Sequence, residues 1–407
     1  MNDTERFDIL VVGGGMVGSA LALGLSRQGW QVGLVEGSAR EALLQPVEPA
    51  GRVDDFEARV SAISVASQRL LEQLGAWPGL IAGRHCPYQS MAVWDGDGTG
   101  GIRFEAAELQ APALGTIIEN RRIVQALFTA LAGSRVELLD GVRVTGWWQS
   151  GDRRGVELAD GRRPGARLVV AADGAHSRLR QWVGLPTREW DYDQQAIVCT
   201  VRTAQSHGYT AWQRFSRTGP LAFLPLLNEQ GDEHFCSIVW SQDTGEARRL
   251  MALDDTGFRA ELEHAIEQAL GPVEQVSRRV AFPLRQRHAK EYVAEGFALV
   301  GDAAHTIHPL AGQGANLGYG DVRVLLDELA RARQAGMNPA DDLLLARYQR
   351  RRKGENLAMM AAREGFKQLF ARDEPALRWL RNAGMRWLDG LGPVKNRMAA
   401  QAMGLDR

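Results

Sequence analysis

Three stretches of this chain carry residue types whose spacing suits one kind of ligand chemistry. The first is Gly13-Gly14-Gly15-Met16-Val17-Gly18, with glycines at 13, 15 and 18. Gly13 permits a tight turn, Gly15 lets the backbone approach a pyrophosphate, and Gly18 lets a helix pack closely on a strand. The helix N-terminus then faces the phosphates. Glu36 closes the next apolar run, where an acid accepts hydrogen bonds from ribose hydroxyls. The second stretch is the apolar run Phe297 to Val300, ending in Gly301-Asp302 and continuing to Pro309, Gly312, Gln313, Gly314 and Asn316. A carboxylate at such a strand end suits the ribityl hydroxyls of a flavin. The glycine turn after it would open a helix whose dipole stabilises negative charge on the reduced ring. The third is Asp173-Gly174-Ala175-His176-Ser177-Arg178-Leu179-Arg180, which on its own is an ordinary Asp-Gly turn.

Other chemistries lack their residues. His305 and His308 are spaced like a metal pair, but no third ligand is placed to help, so no metal is expected. His308, beside Pro309, is instead the catalytic candidate, a polar group near the reacting ring. No Gly-x-Ser-x-Gly elbow supports nucleophilic hydrolysis. Cys86, Cys199 and Cys236 form no Cys-x-x-Cys pair, which fits a reducing compartment.

The elements needed to position these motifs are legible in the apolar patterning. Residues 7–12 and 31–35 read as buried strands around a helix, a complete β-turn-α-β unit. Residues 167–172 and 297–300 read as further buried strands, and a helix follows from about Ala315. Between them, residues 196–203, 210–216, 221–227 and 234–241 are strand-like runs separated by turns, as in an antiparallel sheet. From Ala340 onward the pattern is helical. The 407 residues are 45% hydrophobic and 24% charged, as in soluble globular chains. No stretch reaches the roughly 20 apolar residues of a spanning helix. Acids precede the first apolar run, so it does not read as a secretory signal. With 48 basic and 49 acidic residues, no global field attracts nucleic acid. From Ala346 to Arg407, however, basic residues outnumber acidic ones by 14 to 6. This stretch, densest at Arg350-Arg351-Arg352-Lys353, reads as a solvated helix face, or as a surface meeting anionic lipid or an acidic partner. The expected location is cytoplasmic, or peripheral to the inner membrane.

Together the three motifs resemble the single-component flavin-dependent aromatic hydroxylases of the p-hydroxybenzoate hydroxylase type. The resemblance narrows to the UbiH/UbiF/VisC group of ubiquinone biosynthesis, through Arg59-Val60-Ser61-Ala62-Ile63-Ser64, Glu119-Asn120 and the segment His305 to Gly318. It implies an α/β fold: a Rossmann-like FAD-binding domain, an inserted antiparallel substrate domain and a C-terminal helical segment. The expected boundaries are 1–75, 106–182 and 286–345 for the FAD domain, 76–105 and 183–285 for the substrate domain, and 346–407 for the helical region. It also implies that Gly13, Gly15, Gly18, Glu36, Arg59, Asn120, Asp173, Gly174, Asp302, Pro309, Gly312, Gln313, Gly314 and Asn316 bind FAD.

The implied reaction is a monooxygenation. NAD(P)H reduces FAD, O2 adds at the flavin C4a position, and the resulting hydroperoxide hydroxylates the ring of a polyprenylated phenol. Which ring carbon reacts is left open by the shared motifs. Two other readings compete. A NAD-dependent dehydrogenase would use the N-terminal unit alone and leave Asp302 without purpose. A non-catalytic FAD-binding scaffold within a biosynthetic complex would keep the cofactor without turnover. The apolar positions Phe223, Pro225 and Trp240 suit the core of a sheet or contact with a polyprenylated phenol equally well.

Overall fold

The computed structural model describes residues 6–96, 98–306, 314–371, 382–384, 387, 389 and 391–403. The strand Arg6–Val12 is apolar on both faces and fully enclosed from Ile9 to Val11. Such a strand suits the middle of a parallel sheet covered on two sides. Its neighbours run Val293–Ala294, Phe297–Leu299, Gly165–Ala171, Arg6–Val12, Val32–Val35 and Glu137–Leu139, parallel from the second onward. The helix Met16–Arg27 packs against this sheet, and the helix Gly314–Gln334 packs against Met16–Arg27. Close approach of the two helices explains Gly24: a Cβ there would lie 2.5 Å from the Leu326 side chain.

A second sheet of nine described strands contains Thr187–Thr203, Thr210–Ser216, Gly219–Leu226, Phe235–Asp243 and Val280–Ala289. Side chains alternate across a strand, so this sheet has two unlike faces. Ile197, Cys199, Leu221, Phe223 and Trp240 share one face, in a core with Ala247, Leu250, Phe258 and Leu262 of the helices Thr244–Ala252 and Asp255–Ala265. Ala196, Val198, Ala222, Leu224 and Val239 share the other and pack towards Ala58, Val60 and Ala62. A three-stranded sheet, Val60–Ser64, Gly115–Glu119 and Cys86–Tyr88, joins the two cores. Its Ile63 and Ile118 enter the first core, while Ala62 and Ile117 enter the second.

Sheet and helix boundaries differ from those expected at three places. Position 286 falls inside the strand Val280–Ala289, which stays in the large sheet to its end. The helix Trp77–Ile81 inserts Trp77 and Leu80 into the core of the parallel sheet, so this part of 76–105 packs with the cofactor side. The helix Asp342–Ala371 begins before 346 and buries Leu344, Leu345 and Tyr348 in that same core. Its basic run is part solvated and part buried: Arg350 and Arg351 are exposed, while Arg352 is enclosed. Arg351 pairs with Glu328 at 2.9 Å, Arg352 with Asp321 at 2.7 Å and Lys353 with Glu291 at 3.3 Å.

Candidate active site

Leu299, Ala171, Val12 and Val35 stand in one row of the parallel sheet, each paired with the next. The residues that follow therefore emerge along a single carboxyl edge, in the order Asp302, Asp173, Gly13 and Glu36. At about 4.8 Å per strand, that edge spans roughly 14 Å. Ligands of open α/β sheets bind at such an edge.

The glycines at its centre have separable reasons. Gly13 has φ +106°, and a Cβ on it would lie 2.4 Å from the Ala172 carbonyl oxygen. A Cβ on Gly18 would lie 1.8 Å from the Gly13 carbonyl oxygen, so helix and turn touch through backbone alone. Gly15 is different, because nothing lies within 4 Å of the corresponding position. The protein's own packing does not require a glycine there; close approach of a ligand to the helix N-terminus would. Gly14, which spacing alone did not single out, donates its amide to Glu36 Oε2 at 2.7 Å. Ser38 donates its amide to Glu36 Oε1 at 2.7 Å. The carboxylate is thereby fixed at the strand end with lone pairs left for a ribose.

Asp173 accepts the Leu179 amide at Oδ2, at 3.3 Å, while its Oδ1 is buried without a hydrogen-bond partner. Burial raises this carboxyl above the ordinary range, against hydrogen bonds from Ser177 and Leu179. Gly174 has φ +83° and open space at its Cβ position. Ser177 caps the following helix, and Arg180 Nη1 donates to the Ala303 carbonyl at 2.7 Å, tying the Asp-Gly turn to the Gly-Asp turn.

Asp302 is solvent-accessible yet ringed by protein, as expected at the floor of a cleft. That surrounding protein raises its carboxyl, while His305 and Arg59 pull it down. Arg59, exposed just before the strand Val60–Ser64, thus faces the edge from the three-stranded sheet. Asn120 opens the helix Asn120–Ala132 and accepts the Ser61 hydroxyl at 2.7 Å. Gly314 begins its helix with open space at its Cβ position. Asn316 turns to the protein rather than outward: its amide donates to Ala62 O at 2.7 Å and accepts Ser64 N at 3.0 Å. It clamps the helix start to the three-stranded sheet. His308, Pro309, Gly312 and Gln313 lie outside the described residues. Phe223 and Trp240 belong to the helix-covered face of the large sheet, and Pro225 shares their strand parity. The opposite face, with Ala222, Leu224, Leu226 and Phe235, packs on the three-stranded sheet.

Two buried ionic clusters escaped the sequence reading. Arg84 Nε meets Glu119 at 2.6 Å and Arg84 Nη1 meets Glu229 at 3.0 Å, joining the two domains beneath Arg59 and Asn120. Asp321 meets His305 at 2.6 Å and Arg352 at 2.7 Å. An acid inside the apolar stripe of the Gly314–Gln334 helix was the available signal for the second. For Arg84 there was none, since its partners lie 35 and 145 residues away.

The residues at the edge fit a flavin dinucleotide: an open glycine at a helix N-terminus, a fixed acid for ribose, and an accessible carboxylate on the cleft floor. With the second sheet facing them, they define a two-domain FAD-dependent monooxygenase. A family model described as an FAD binding domain matches residues 6–362, and the chain belongs to that family. It is 40% identical to the 3-demethoxyubiquinol 3-hydroxylase of Escherichia coli K12 over 98% of each chain. It is 37% identical to the ubiquinone hydroxylase UbiL of Rhodospirillum rubrum, covering 98% of this chain and 89% of the relative. Among solved structures, p-nitrophenol 4-monooxygenase PnpA of Pseudomonas putida superposes with a TM-score of 0.77 at 21% identity, over 98% of both chains. PqsL of Pseudomonas aeruginosa, solved with 2-aminobenzoylacetate, gives 0.74 at 25% identity, over 94% of this chain and 99% of that one. These relatives support neither the dehydrogenase nor the scaffold reading.

Proposed function

We propose that this chain hydroxylates the aromatic ring of a polyprenylated phenol in ubiquinone biosynthesis, with NAD(P)H and O2 as co-substrates. The observation that carries the reading is the single register row that delivers Asp302, Asp173, Gly13 and Glu36 to one edge. Bound FAD supplies the oxygen-activating chemistry, once reduced by the nicotinamide donor. The protein's part is to bind, orient and exclude water.

Gly13, Gly15 and Gly18 bring the helix N-terminus to the pyrophosphate, and Glu36 takes the ribose hydroxyls. Asp302 takes the ribityl chain, with Gly314 opening the helix beside it. Asp173 and Gly174 form the wall on the far side of the glycine turn, and the unpartnered Asp173 Oδ1 is free to accept a hydrogen bond. Arg59 and Asn120 approach from the three-stranded sheet that joins the two cores. Among residues outside the described ones, Pro309, Gly312 and Gln313 complete the cofactor loop in this reading, and His308 is the polar group at the ring.

Peripheral contact with the membrane that holds a polyprenylated phenol is supported by the exposed Leu357, Met359, Val394 and Met398 of the C-terminal helices. No helix among the described residues is long and apolar enough to cross a membrane.

The test is turnover. Purified chain given NAD(P)H, O2 and a short-chain demethoxyubiquinol analogue should form a product heavier by one oxygen atom. NAD(P)H oxidation that no such phenol stimulates, with no oxygenated product, contradicts the reading.

A further inference from the structure

One carboxylate holds both ends of the segment that carries Asp302. Asp321 lies on the helix Gly314–Gln334 and is wholly buried. Its Oδ2 accepts the Gly301 amide at 2.8 Å and His305 Nε2 at 2.6 Å, gripping the segment just before and just after Asp302. Its Oδ1 accepts Arg352 Nε at 2.7 Å. Arg352 comes from the helix Asp342–Ala371 and is held in turn: Nη2 donates to Leu317 O at 3.1 Å and to Asn356 Oδ1 at 2.8 Å. The gripped segment has little freedom to settle elsewhere. Gly301 has φ +59°, and its Cβ position is 3.2 Å from Val17 in the first turn of the helix behind the glycine turn.

Burial alone would raise the Asp321 carboxyl, but His305 and Arg352 outweigh it and hold the group at about 2. It is therefore an anion at every physiological pH. A buried ion pair is a poor source of stability compared with apolar side chains of the same volume. What it does provide is direction, because charge-assisted hydrogen bonds fix both partners' geometry.

We propose that Asp321 and Arg352 are positioning residues for the flavin, holding the Gly301–His305 segment so that Asp302 faces the cleft. Through Arg352, the C-terminal helix becomes part of what retains the cofactor. This rests on the FAD reading above.

The experiment compares apoprotein and FAD-loaded forms of the full chain with Asp321→Asn/Arg352→Met, which removes both charges together, and with Arg352→Lys, which keeps the charge but loses the fork. Three quantities are read: the melting temperature of the apoprotein, exchange of the Gly301 amide, and the FAD dissociation constant. Both apoproteins should melt within a few degrees of the parent. The Gly301 amide should exchange at least about ten-fold faster in the double variant, and FAD should bind about ten-fold more weakly, the scale of one charge-assisted hydrogen bond. Arg352→Lys should fall between. Unchanged FAD affinity with a folded double variant overturns the proposal. So does failure of both apoproteins to fold, which would make the pair an element of the core alone. If the parent chain itself binds no FAD, the cofactor reading fails instead.

Discussion

At the Glu36 end of the cleft the chain is shaped by glycines and by its own backbone, whereas at the Asp302 end it is held by buried charge. Gly13 and Gly18 meet through backbone atoms, and Glu36 is fixed by two neighbouring amides. Asp302, by contrast, owes its place to Asp321, His305 and Arg352, and Arg59 and Asn120 rest above Arg84 and Glu119. The first end is largely a local solution: the amides that hold Glu36 come from Gly14 and Ser38, although the Ala172 carbonyl against Gly13 comes from farther along the chain. The second needs partners from four distant segments. A nucleotide tail of fixed shape can be met by a preformed turn, while a reacting ring needs side chains set from several directions at once.

Substitutions that break this contrast should differ in kind as well as size. The largest effect is expected for Gly18→Ala, whose Cβ would meet the Gly13 carbonyl oxygen at 1.8 Å. The turn must shift, so the purified chain should carry no flavin, as its visible absorbance would show. Next is Arg84→Met, which leaves Glu119 buried and unpaired. Urea unfolding should show a loss of about 3–5 kcal/mol, and a change under 1 kcal/mol would mean that the cluster is not the clamp between domains.

The Asp302 end should also respond to pH in the way the other does not. His288, beside Tyr292 and His305, is lowered by burial first and by His305 second, to about 4 from the usual 6.5. The folded chain therefore binds fewer protons there than the unfolded one between those values. Stability is full above about pH 6.5 and falls as the pH drops to about 4, by about 3 kcal/mol at 1.4 kcal/mol per unit. His288→Gln should flatten that slope in apoprotein melts; an unchanged slope would place its source elsewhere. Smaller still is Glu36→Gln, which keeps one amide contact and weakens FAD binding about five-fold, a cost of about 1 kcal/mol. The smallest is Phe223→Leu, on the helix-covered face: about 1 kcal/mol of stability, with KM for the phenol unchanged.

This contrast also explains what could be read from the amino acids. The β-turn-α-β unit was legible to within a residue because turn, helix and acid are local rules: Val32–Val35 ends where Glu36 had been expected to sit. Thr210–Ser216 was legible from alternation and its turns. Within the basic run at 350–353, Arg350 and Arg351 are exposed as a solvated face would have them, but Arg352 is not, and nothing local distinguishes it from them, since its partner is 31 residues upstream. The expectation for Asn316 came from its place in the motif; what the motif does not announce is that its side-chain amide ties the helix start to the strand Val60–Ser64, some 250 residues earlier. The aromatic residues Phe223 and Trp240 left two faces open, and strand parity together with the covering helices decided between them.

The central claim is that the four strand ends cradle one flavin per chain, and stoichiometry tests it most directly. Flavin absorbance per chain should be measured for the purified protein and for Asp302→Ala, with circular dichroism to establish that both are folded. The account predicts one FAD per parent chain and a folded, colourless variant. A variant that keeps its full complement of FAD, or a folded parent chain that takes up none, would contradict it.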